Sequence, residues 1–204
     1  MIQENGPSSP IQNSGLTLIM IRHGQTTANL QGVVQGHDDS PLTPKGQLSS
    51  QAKAAKLARF PISAVYCSDL PRARATLAII MQSLPGLPPA QFTRALREID
   101  FGIHTGAAKA DLAPIIARHK ADTSLKYPGG ESGGDLWERV RNFLDQLLAA
   151  HPDGHALLVT HYGVMETIAK RRAGFAESQP FIFGEEDLIA LKFTGASQAS
   201  MSVL

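Results

Sequence analysis

The sequence predicts an α/β protein in which a parallel-type sheet carries helices on both faces. Two observations support this prediction. Apolar runs of strand length, without clean alternation, suit strands buried on both faces, and segments of helical pattern separate them along the chain. The 204 residues are 43% hydrophobic, close to the globular average, so the chain can bury a core without disulfides.

The first half of the chain contains two predicted strands, each followed by a helix. Thr43 and Pro44 predict the start of the first long helix, because threonine is a good N-cap and proline suits the first helical position. Ser68 is expected to cap the next helix. The predicted elements are a strand at 16–21, a helix from 44 to about 59, a strand at 62–67, a helix from 68 to about 84, and a short apolar segment near Phe92.

The second half begins with an irregular, glycine-rich stretch from Glu98 to Gly134. After it, Asp135 and Glu138 resemble a capping box, and the apolar residues that follow recur at helical spacing. The predicted elements are a short helix near 112–119, a helix from 135 to about 148, a strand at 156–160, a helix at 164–172, and late strands at 188–193 and 199–203.

Composition excludes several classes of protein. The chain has 19 lysines and arginines against 18 aspartates and glutamates, a formal net charge of +1, so it lacks the strong field that holds nucleic acid. Cys67 is the single cysteine, which rules out an internal disulfide and a cysteine-cluster metal site. The apolar runs are far too short to span a bilayer.

The N-terminal residues differ in composition from the rest of the chain. Residues 1–15 are polar and lack the charged and apolar regions of a signal peptide, so we expect a flexible tail. Residues 16–204 are then expected to form a single domain with a rim insert around 98–134. These features predict a soluble, cytoplasmic protein that binds neither nucleic acid nor membrane, and they leave its oligomeric state open.

Charged side chains follow each of the three clearest strands at the point where the strand ends. Arg22 and His23 follow the first strand, Arg72 follows the second, and His161 follows the third. Because ligands of parallel α/β folds bind beyond the carboxyl ends of the strands, we expect these side chains at one edge of the sheet. Glu98 lies in the irregular stretch that is expected to close over that edge.

This set of residue types suits phosphoryl chemistry. The guanidinium group of arginine presents a planar fork of donors that matches phosphate oxygens, and helix N-termini add N–H groups and a positive dipole end. A neutral imidazole is a competent nucleophile at about neutral pH. A carboxylic acid with a raised pKa can protonate a leaving alkoxide.

Five motifs carry a resemblance to a known family. They are R-H-G-Q-T at 22–26 with Asn29 and then G-x-x-x-x-P-L-T-x-x-G at 36–46; S-D-L-P-R-A-R-A-T at 68–76; L-R-E-I-D-F-G at 96–102; P-G-G-E-S at 128–132; and L-L-V-T-H-Y-G-V at 157–164. In this order the motifs resemble those of the histidine phosphatase superfamily, the phosphoglycerate-mutase-like group.

The resemblance implies a fold and a set of roles. The implied fold is a three-layer α/β/α sandwich with a mostly parallel, phosphoglycerate-mutase-like central sheet, in agreement with the pattern of strands and helices. His23 is implied to be the nucleophile that becomes a phosphohistidine, and Glu98 the proton donor to the leaving group. The implied phosphate pocket consists of Arg22, Asn29, Arg72 and His161. The family needs no metal, and no cofactor is expected.

Some assignments have alternatives. Asp100 competes with Glu98 for the acid role, and Asn29 could serve only as a turn residue. Ala75, Tyr162 and the segment 102–106 depart from residues that are common in the family, which puts the substrate in doubt and leaves the core chemistry intact.

Other phosphate and metal motifs find no support. Cys67 does not begin a C-x-x-x-x-x-R loop, because the required arginine position holds Ala73. His151 and His155 are four residues apart, but a Pro-Asp-Gly sequence between them prevents a shared helical face, so a zinc site is disfavoured. The glycine-rich nucleotide-binding motifs are missing from the sequence.

The predicted function is metal-independent hydrolysis of a small phosphorylated metabolite, a phosphomonoester, through a phosphohistidine. Arg22, Arg72 and a protonated His161 would stabilise the phosphoryl charge. A cofactor-dependent phosphoglycerate mutase is the first alternative, disfavoured because the stretch between the acid motif and the second histidine is compact and lacks an obvious basic lid. A non-catalytic phosphate-binding module is the second. The scarcity of basic residues in the predicted rim favours a monophosphate, and which ester is used stays open.

Overall fold

The computed structural model describes residues 15–176, 179–194 and 199–204; the predicted tail lies outside them except for Gly15. Within these residues the strands are β1 Leu16–Arg22, β2 Ile62–Ser68, β3 Ala90–Thr93, β4 Gly154–Thr160, β5 Ile189–Phe193 and β6 Ala199–Val203. The α-helices are α1 Thr27–Leu30, α2 Pro44–Leu57, α3 Pro71–Ser83, α4 Lys109–Ala121, α5 Gly133–Ala150 and α6 Tyr162–Arg172, with 3₁₀ turns at Arg94–Leu96 and Gly102–His104.

The strands form one sheet in the order β3-β2-β4-β1-β5-β6. The first four strands of the chain run parallel to one another, whereas β5 and β6 add an antiparallel edge. The prediction of a mostly parallel α/β sheet is therefore confirmed. Since β1, β2 and β4 all end at the same edge, the segments that follow them meet there.

Alternate residues of the central strands point into two separate apolar layers. In β1, Leu18 and Met20 pack under α5 and α6, whereas Ile19 and Ile21 pack under α2 and α3. This arrangement gives the three layers that the family resemblance implied. It also explains the unbroken apolar run in β1, because both of its faces are covered.

Two predicted helix starts are wrong, and each has a physical reason. The capping box of α5 pairs Ser132 with Asp135, one turn before the predicted pair, because Gly133 and Gly134 join the helix despite their low propensity. Helix α3 begins at Pro71 with Leu70 as its N-cap residue, while Ser68 is the last residue of β2. By contrast, Thr43 caps α2 as predicted, accepting from the Gly46 N–H at 3.0 Å.

Candidate active site

A cavity of about 620 Å³ opens at the edge of the sheet where β1, β2 and β4 end. Its lining includes five of the six residues singled out from the sequence: Arg22, His23, Asn29, Arg72 and Glu98. The sixth, His161, is fully buried next to His23, with the two ring centroids 5.1 Å apart. The topology thus brings all six predicted site residues together.

The ring of His23 is held in one orientation. Its side chain is only 5% exposed, and Nδ1 lies 2.8 Å from the main-chain oxygen of Gly24. Because a carbonyl oxygen can only accept, Nδ1 carries the proton and Nε2 keeps a lone pair. Burial, together with the charges of Arg22 and Arg72, lowers the pKa of His23 well below its ordinary value. The ring is therefore neutral at pH 7, as a nucleophile requires.

Two glycines allow the loop that carries His23 to pack against the start of α2. A Cβ at Gly24 would collide with the main-chain oxygen of Gly46, and a Cβ at Gly46 would collide with Gln25. The Gly24 N–H also donates to the hydroxyl of Thr76 at 2.9 Å. These contacts explain why the sequence motifs place glycine at both positions and threonine at 76.

Arg72 is fixed from one side only. Its side chain is buried, Nη1 donates to the main-chain oxygen of Asp38 at 2.6 Å, and Nη2 donates to that of Gly36 at 2.8 Å. Burial lowers the pKa of Arg72 from its very high ordinary value, and the carboxylates of Glu98 and Asp39 oppose this shift. The guanidinium stays charged and is held by the loop that precedes α2.

Three buried side-chain nitrogens at this edge lack a hydrogen-bond partner among the described residues. They are Nε of Arg22, Nε of Arg72 and Nδ1 of His161, and each lies at the end of a different strand or within a few residues after it. Buried polar groups in folded proteins are nearly always satisfied, so a cluster of unsatisfied donors requires an explanation. A tetrahedral oxyanion offers several acceptor oxygens and suits such a cluster.

His161 is held by Ser68, which the sequence had suggested as a helix cap. Its Nε2 lies 2.8 Å from Oγ of Ser68. When Ser68 donates to Nε2, the ring proton is on Nδ1, the unpartnered atom. Burial, with His23 and the nearby arginines, lowers the pKa of His161 well below its ordinary value, so the ring is neutral in the free protein. This differs from the protonated state that we predicted; a bound phosphate dianion would raise the pKa again.

Glu98 lines the cavity, and its carboxylate is oriented by main-chain donors. Oε1 accepts from the Ile99 N–H at 3.0 Å, and Oε2 accepts from the Gly163 N–H at 3.3 Å. Asp100, the competitor for the acid role, is not among the cavity-lining residues. Its carboxylate instead accepts from the Gly102 N–H at 2.9 Å and lies 3.5 Å from Nδ1 of His37. The geometry therefore favours Glu98.

The side chains of His37 and Arg139 clamp the main chain of Glu98 by hydrogen bonds to its carbonyl oxygen. Its carbonyl oxygen accepts from Nε2 of His37 and from Nη2 of Arg139, each at 2.9 Å. Arg139 is paired with Glu131 at 2.8 Å, and Glu131 also accepts from the Asp100 N–H at 3.1 Å. This clamp explains the glutamate of the P-G-G-E-S motif: it holds the acid-bearing segment to α5.

Asn29 has a structural role that is compatible with a ligand contact. The side-chain Oδ1 accepts from the Thr26 N–H, and the main-chain N–H of Asn29 donates to the Thr26 hydroxyl, both at 3.2 Å. Together these bonds make a capping box for α1. The amide Nδ2 is not used in this box, and Asn29 lines the cavity. The turn role and the pocket role that the sequence left open are therefore not exclusive.

The outer part of the cavity includes residues that the sequence analysis missed. One wall belongs to the predicted rim around 98–134 and to residues 33–36, but another belongs to α6 and to residues 181–185. On α6, Glu166 is held by Nζ of Lys120 from α4 at 2.7 Å and by Lys170 at 3.3 Å. The spacing of Tyr162, Glu166 and Lys170, four residues apart on one helix face, is the signal that was available.

The described residues contain neither a candidate metal-binding cluster nor a candidate membrane-spanning helix. In residues 15–176, 179–194 and 199–204, no cluster of three or more His, Cys, Asp or Glu side chains has a geometry fit for a metal ion. Over the same stretches, the structure contains no helix that combines the length and the apolarity needed to cross a membrane.

Comparison with known proteins places the chain in a class of enzymes, the histidine phosphatases. The family profile described as histidine phosphatase superfamily (branch 1) matches residues 18–199, and the chain belongs to that superfamily. The family resemblance inferred from the five motifs is thus confirmed. Several relatives of the chain are named phosphatases, and the chain is an enzyme of the histidine phosphatase type.

Individual relatives differ in the reaction that their names state. The adenosylcobalamin/alpha-ribazole phosphatase of Salmonella typhimurium is 30% identical over 161 residues, which cover 76% of this chain and 79% of that protein. The 2,3-bisphosphoglycerate-dependent phosphoglycerate mutase 2 of Gloeobacter violaceus is 31% identical over 154 residues, covering 72% and 70%. The crystal structure of the alpha-ribazole phosphatase from Shigella flexneri superposes with a TM-score of 0.76 at 28% identity, covering 92% of this chain and 95% of that one.

Proposed function

We propose that the chain is a metal-independent phosphatase that hydrolyses a small phosphomonoester through a phosphohistidine at His23. The observation that carries this proposal is the cluster of three unsatisfied buried donors, Nε of Arg22, Nε of Arg72 and Nδ1 of His161, beside a neutral imidazole. Fixed donors aimed at the phosphoryl oxygens supply the electrostatic stabilisation that dominates phosphoryl transfer, so no metal ion is required for it.

In the first step Nε2 of His23 attacks phosphorus in line with the ester oxygen. The new N–P bond forms as the P–O bond to the alcohol breaks, and the carboxyl group of Glu98 gives its proton to the departing oxygen. The donors of Arg22, Arg72 and His161, with the amide of Asn29, stabilise the charge on the equatorial oxygens. The products of this step are the free alcohol, phosphohistidine and the Glu98 carboxylate.

In the second step water replaces the alcohol. The Glu98 carboxylate accepts a proton from the attacking water, the N–P bond breaks, and inorganic phosphate leaves with His23 neutral and Glu98 protonated again. The position of Glu98 at the cavity wall, with its carboxylate oxygens on the N–H groups of Ile99 and Gly163, supports both proton transfers by one group.

The outer cavity supports a small ester with a polar alcohol portion. Its walls combine aromatic side chains such as Tyr162 with the charged groups Lys109, Lys120, Glu166 and Lys170. The basic residues on α6 make this rim more cationic than the sequence had indicated, so esters with a second anionic group belong in the test beside simple monophosphates. The mutase alternative is tested in the same assay, because one relative carries that activity.

The experiment is phosphate release from a panel of metabolite phosphates, with a chelator present, by wild type and His23→Ala. We expect chelator-resistant release from at least one ester and a loss of at least about 10²–10³-fold in the variant, as for removal of a key electrostatic group. Acid-labile ³²P on wild type, missing from His23→Ala, would identify the phosphohistidine. Gln35→Ala, a change elsewhere on the cavity lining, serves as the matched control.

Three results would contradict the proposal. Near wild-type release by His23→Ala would remove His23 from the mechanism. Release abolished by chelator would show that a metal ion is needed. Interconversion of phosphoglycerates that depends on added bisphosphoglycerate, with no net phosphate release, would establish the mutase instead.

A further inference from the structure

Lys53 is a buried cation directly behind the catalytic strand end. It lies on α2 with 1% of its surface exposed, and its Nζ donates to the main-chain oxygen of Arg22 at 2.8 Å. It is not among the residues that line the cavity, so the mechanism above does not use it. Burying an ammonium group is costly, and such groups are retained where a partner or a function compensates.

The position of the Arg22 carbonyl explains why a donor is needed there. The N–H and C=O of one trans peptide point in opposite directions, and the His23 N–H donates to Thr160 of β4 at 3.0 Å. The Arg22 carbonyl therefore points to the β5 side of β1, but β5 begins at Ile189, opposite Met20, so the pairing of these strands does not reach Arg22. Lys53 supplies the hydrogen bond that the sheet does not.

We propose that Lys53 is a positioning residue for phosphoryl transfer: its ammonium fixes the peptide between Arg22 and His23 and places a positive charge behind the phosphate pocket. The inference rests on the proposed function, because the pocket that Lys53 supports is the one in which those residues act. Lys53 does not contact the substrate and acts through Arg22 and His23.

The charged groups around Lys53 define its titration. Arg22 faces it from β1, and the carboxylates of Glu185, Glu186 and Asp187 act on it from the segment before β5. Burial, and after it the charge of Arg22, lower the pKa of Lys53 to about 8, while the carboxylates oppose the shift. The positive charge is therefore present at neutral pH and is lost as the pH rises through about 8.

The other groups near the site with shifted pKa values titrate far from the pKa of Lys53. Burial raises the pKa of Cys67 and that of Tyr162 to about 12. Lys53 also contributes to lowering the pKa of His23, which keeps the nucleophile neutral. A change in phosphate binding as the pH rises through about 8 is therefore expected to follow Lys53.

The test compares Lys53→Met with Lys56→Met. Lys56 lies one turn further along α2, and its Nζ donates to the main-chain oxygen of Leu204 at 3.2 Å, away from the cavity. Affinity for inorganic phosphate is measured by calorimetry from about pH 7 to about pH 9.5, with kcat/KM beside it. We expect Lys53→Met to bind phosphate about tenfold more weakly at neutral pH, with the difference from wild type becoming smaller at the alkaline end as Lys53 loses its charge. Lys56→Met should match wild type.

Thermal stability separates positioning from packing. The pKa of Lys53 is lowered on folding, so its charge costs stability, fully below about pH 8 and less as the pH rises toward 10.5. Lys53→Met removes this cost together with the hydrogen bond to the Arg22 carbonyl, so Tm should change little while phosphate affinity falls. Equal affinity at neutral pH, or a loss that is constant across pH and accompanied by a lower Tm, would overturn the proposal.

A second variant covers the case in which Lys53→Met does not fold. Lys53→Arg keeps a positive charge at all accessible pH, so it should still bind phosphate at about pH 9.5 as tightly as at neutral pH, where wild type binds about tenfold more weakly than at neutral pH. The proposal is wrong if Lys53→Arg follows the same pH profile as wild type. Calorimetry needs no turnover, so failure of every ester in the panel would contradict the proposed hydrolysis without deciding the role of Lys53.

Discussion

His23, Arg72 and His161 are polar side chains that the fold keeps almost completely out of water. In a medium of low polarity each hydrogen bond to a charged ligand is stronger, and each unpaired donor is more costly. Burying these side chains without partners lowers the free energy of unfolding, and a bound anion would restore the missing hydrogen bonds. Burial also makes both imidazoles neutral, which gives one residue its nucleophilic lone pair.

The first prediction at the residue scale concerns Gly163. A Cβ at this position would collide with Oε1 of Glu98, whereas alanine is well tolerated near the start of a helix such as α6. Gly163→Ala should therefore displace the proposed acid and lower kcat by about 10²-fold with little change in Tm, as for a displacement of about 1 Å. Gly134→Ala, a helical glycine outside the cavity, is the control; equal activity of the two variants would refute the prediction.

The second residue-scale prediction concerns pH and stability. In the folded chain the pKa values of His23 and His161 are lowered, so between those values and about 6.5 the unfolded chain binds more protons. Stability is therefore complete above about pH 6.5 and falls as the pH drops below it, by up to about 1.4 kcal/mol per pH unit for each group.

The measurement is urea unfolding in phosphate-free buffer at about pH 7.5 and about pH 5. His23→Ala removes one of the two groups and should reduce the difference between the two pH values. An identical pH dependence in wild type and variant would show that His23 is not the group responsible.

At the scale of elements, helix α5 holds the acid-bearing segment in place. Arg139 on α5 bonds the main-chain oxygens of Ala95 and Glu98, and Glu131 just before the helix neutralises it. The apolar face of α5, with Val140 and Leu144 fully buried, fixes the helix on the sheet. The position of Glu98 is thus set by a helix more than thirty residues away in sequence.

Glu131→Gln tests this linkage. Arg139 would lose its ionic partner and the Asp100 N–H would lose a charged acceptor, so the segment around Glu98 should loosen. We expect kcat to fall about tenfold while phosphate affinity stays the same, because Glu131 does not touch the phosphate donors. Glu138→Gln, an exposed change on the same helix, should have neither effect. A parallel loss of phosphate affinity would contradict the assignment.

At the scale of the whole molecule, the sheet lies between two apolar layers and contributes residues to each of them. Adjacent residues of β1 face opposite layers, so neither layer can lose its strand surface without exposing the other. The chain should therefore unfold in a single transition even though its core is divided.

Leu144→Ala and Leu77→Ala test this coupling, one in each layer. Each should cost about 2–5 kcal/mol, the range for truncating a buried leucine. Trp137, the single tryptophan, packs with the α5 layer, so its fluorescence reports that side. If Leu77→Ala shifts circular dichroism but not the tryptophan transition, the layers unfold independently and the prediction is wrong.

The sequence by itself determined the fold class and the local chemistry. Apolar runs without alternation identified β1, β2 and β4, and the five motifs named the six proposed site residues, because strands and catalytic motifs are local features of the chain. Asp135 was found as part of a capping box, but its partner was misassigned, since propensity alone did not predict that two glycines would be helical.

Tertiary structure decided whatever depends on the direction of a side chain or on distant segments. Glu98 and Asp100 are two residues apart, and only the packing of their segment against α5 and His37 directs one into the cavity and the other away from it. Lys53 carried no signal in the sequence, because its contact with Arg22 spans 31 positions. The physical reason is the same in both cases: burial and charge environment come from contacts between elements, and these do not exist until the chain has folded.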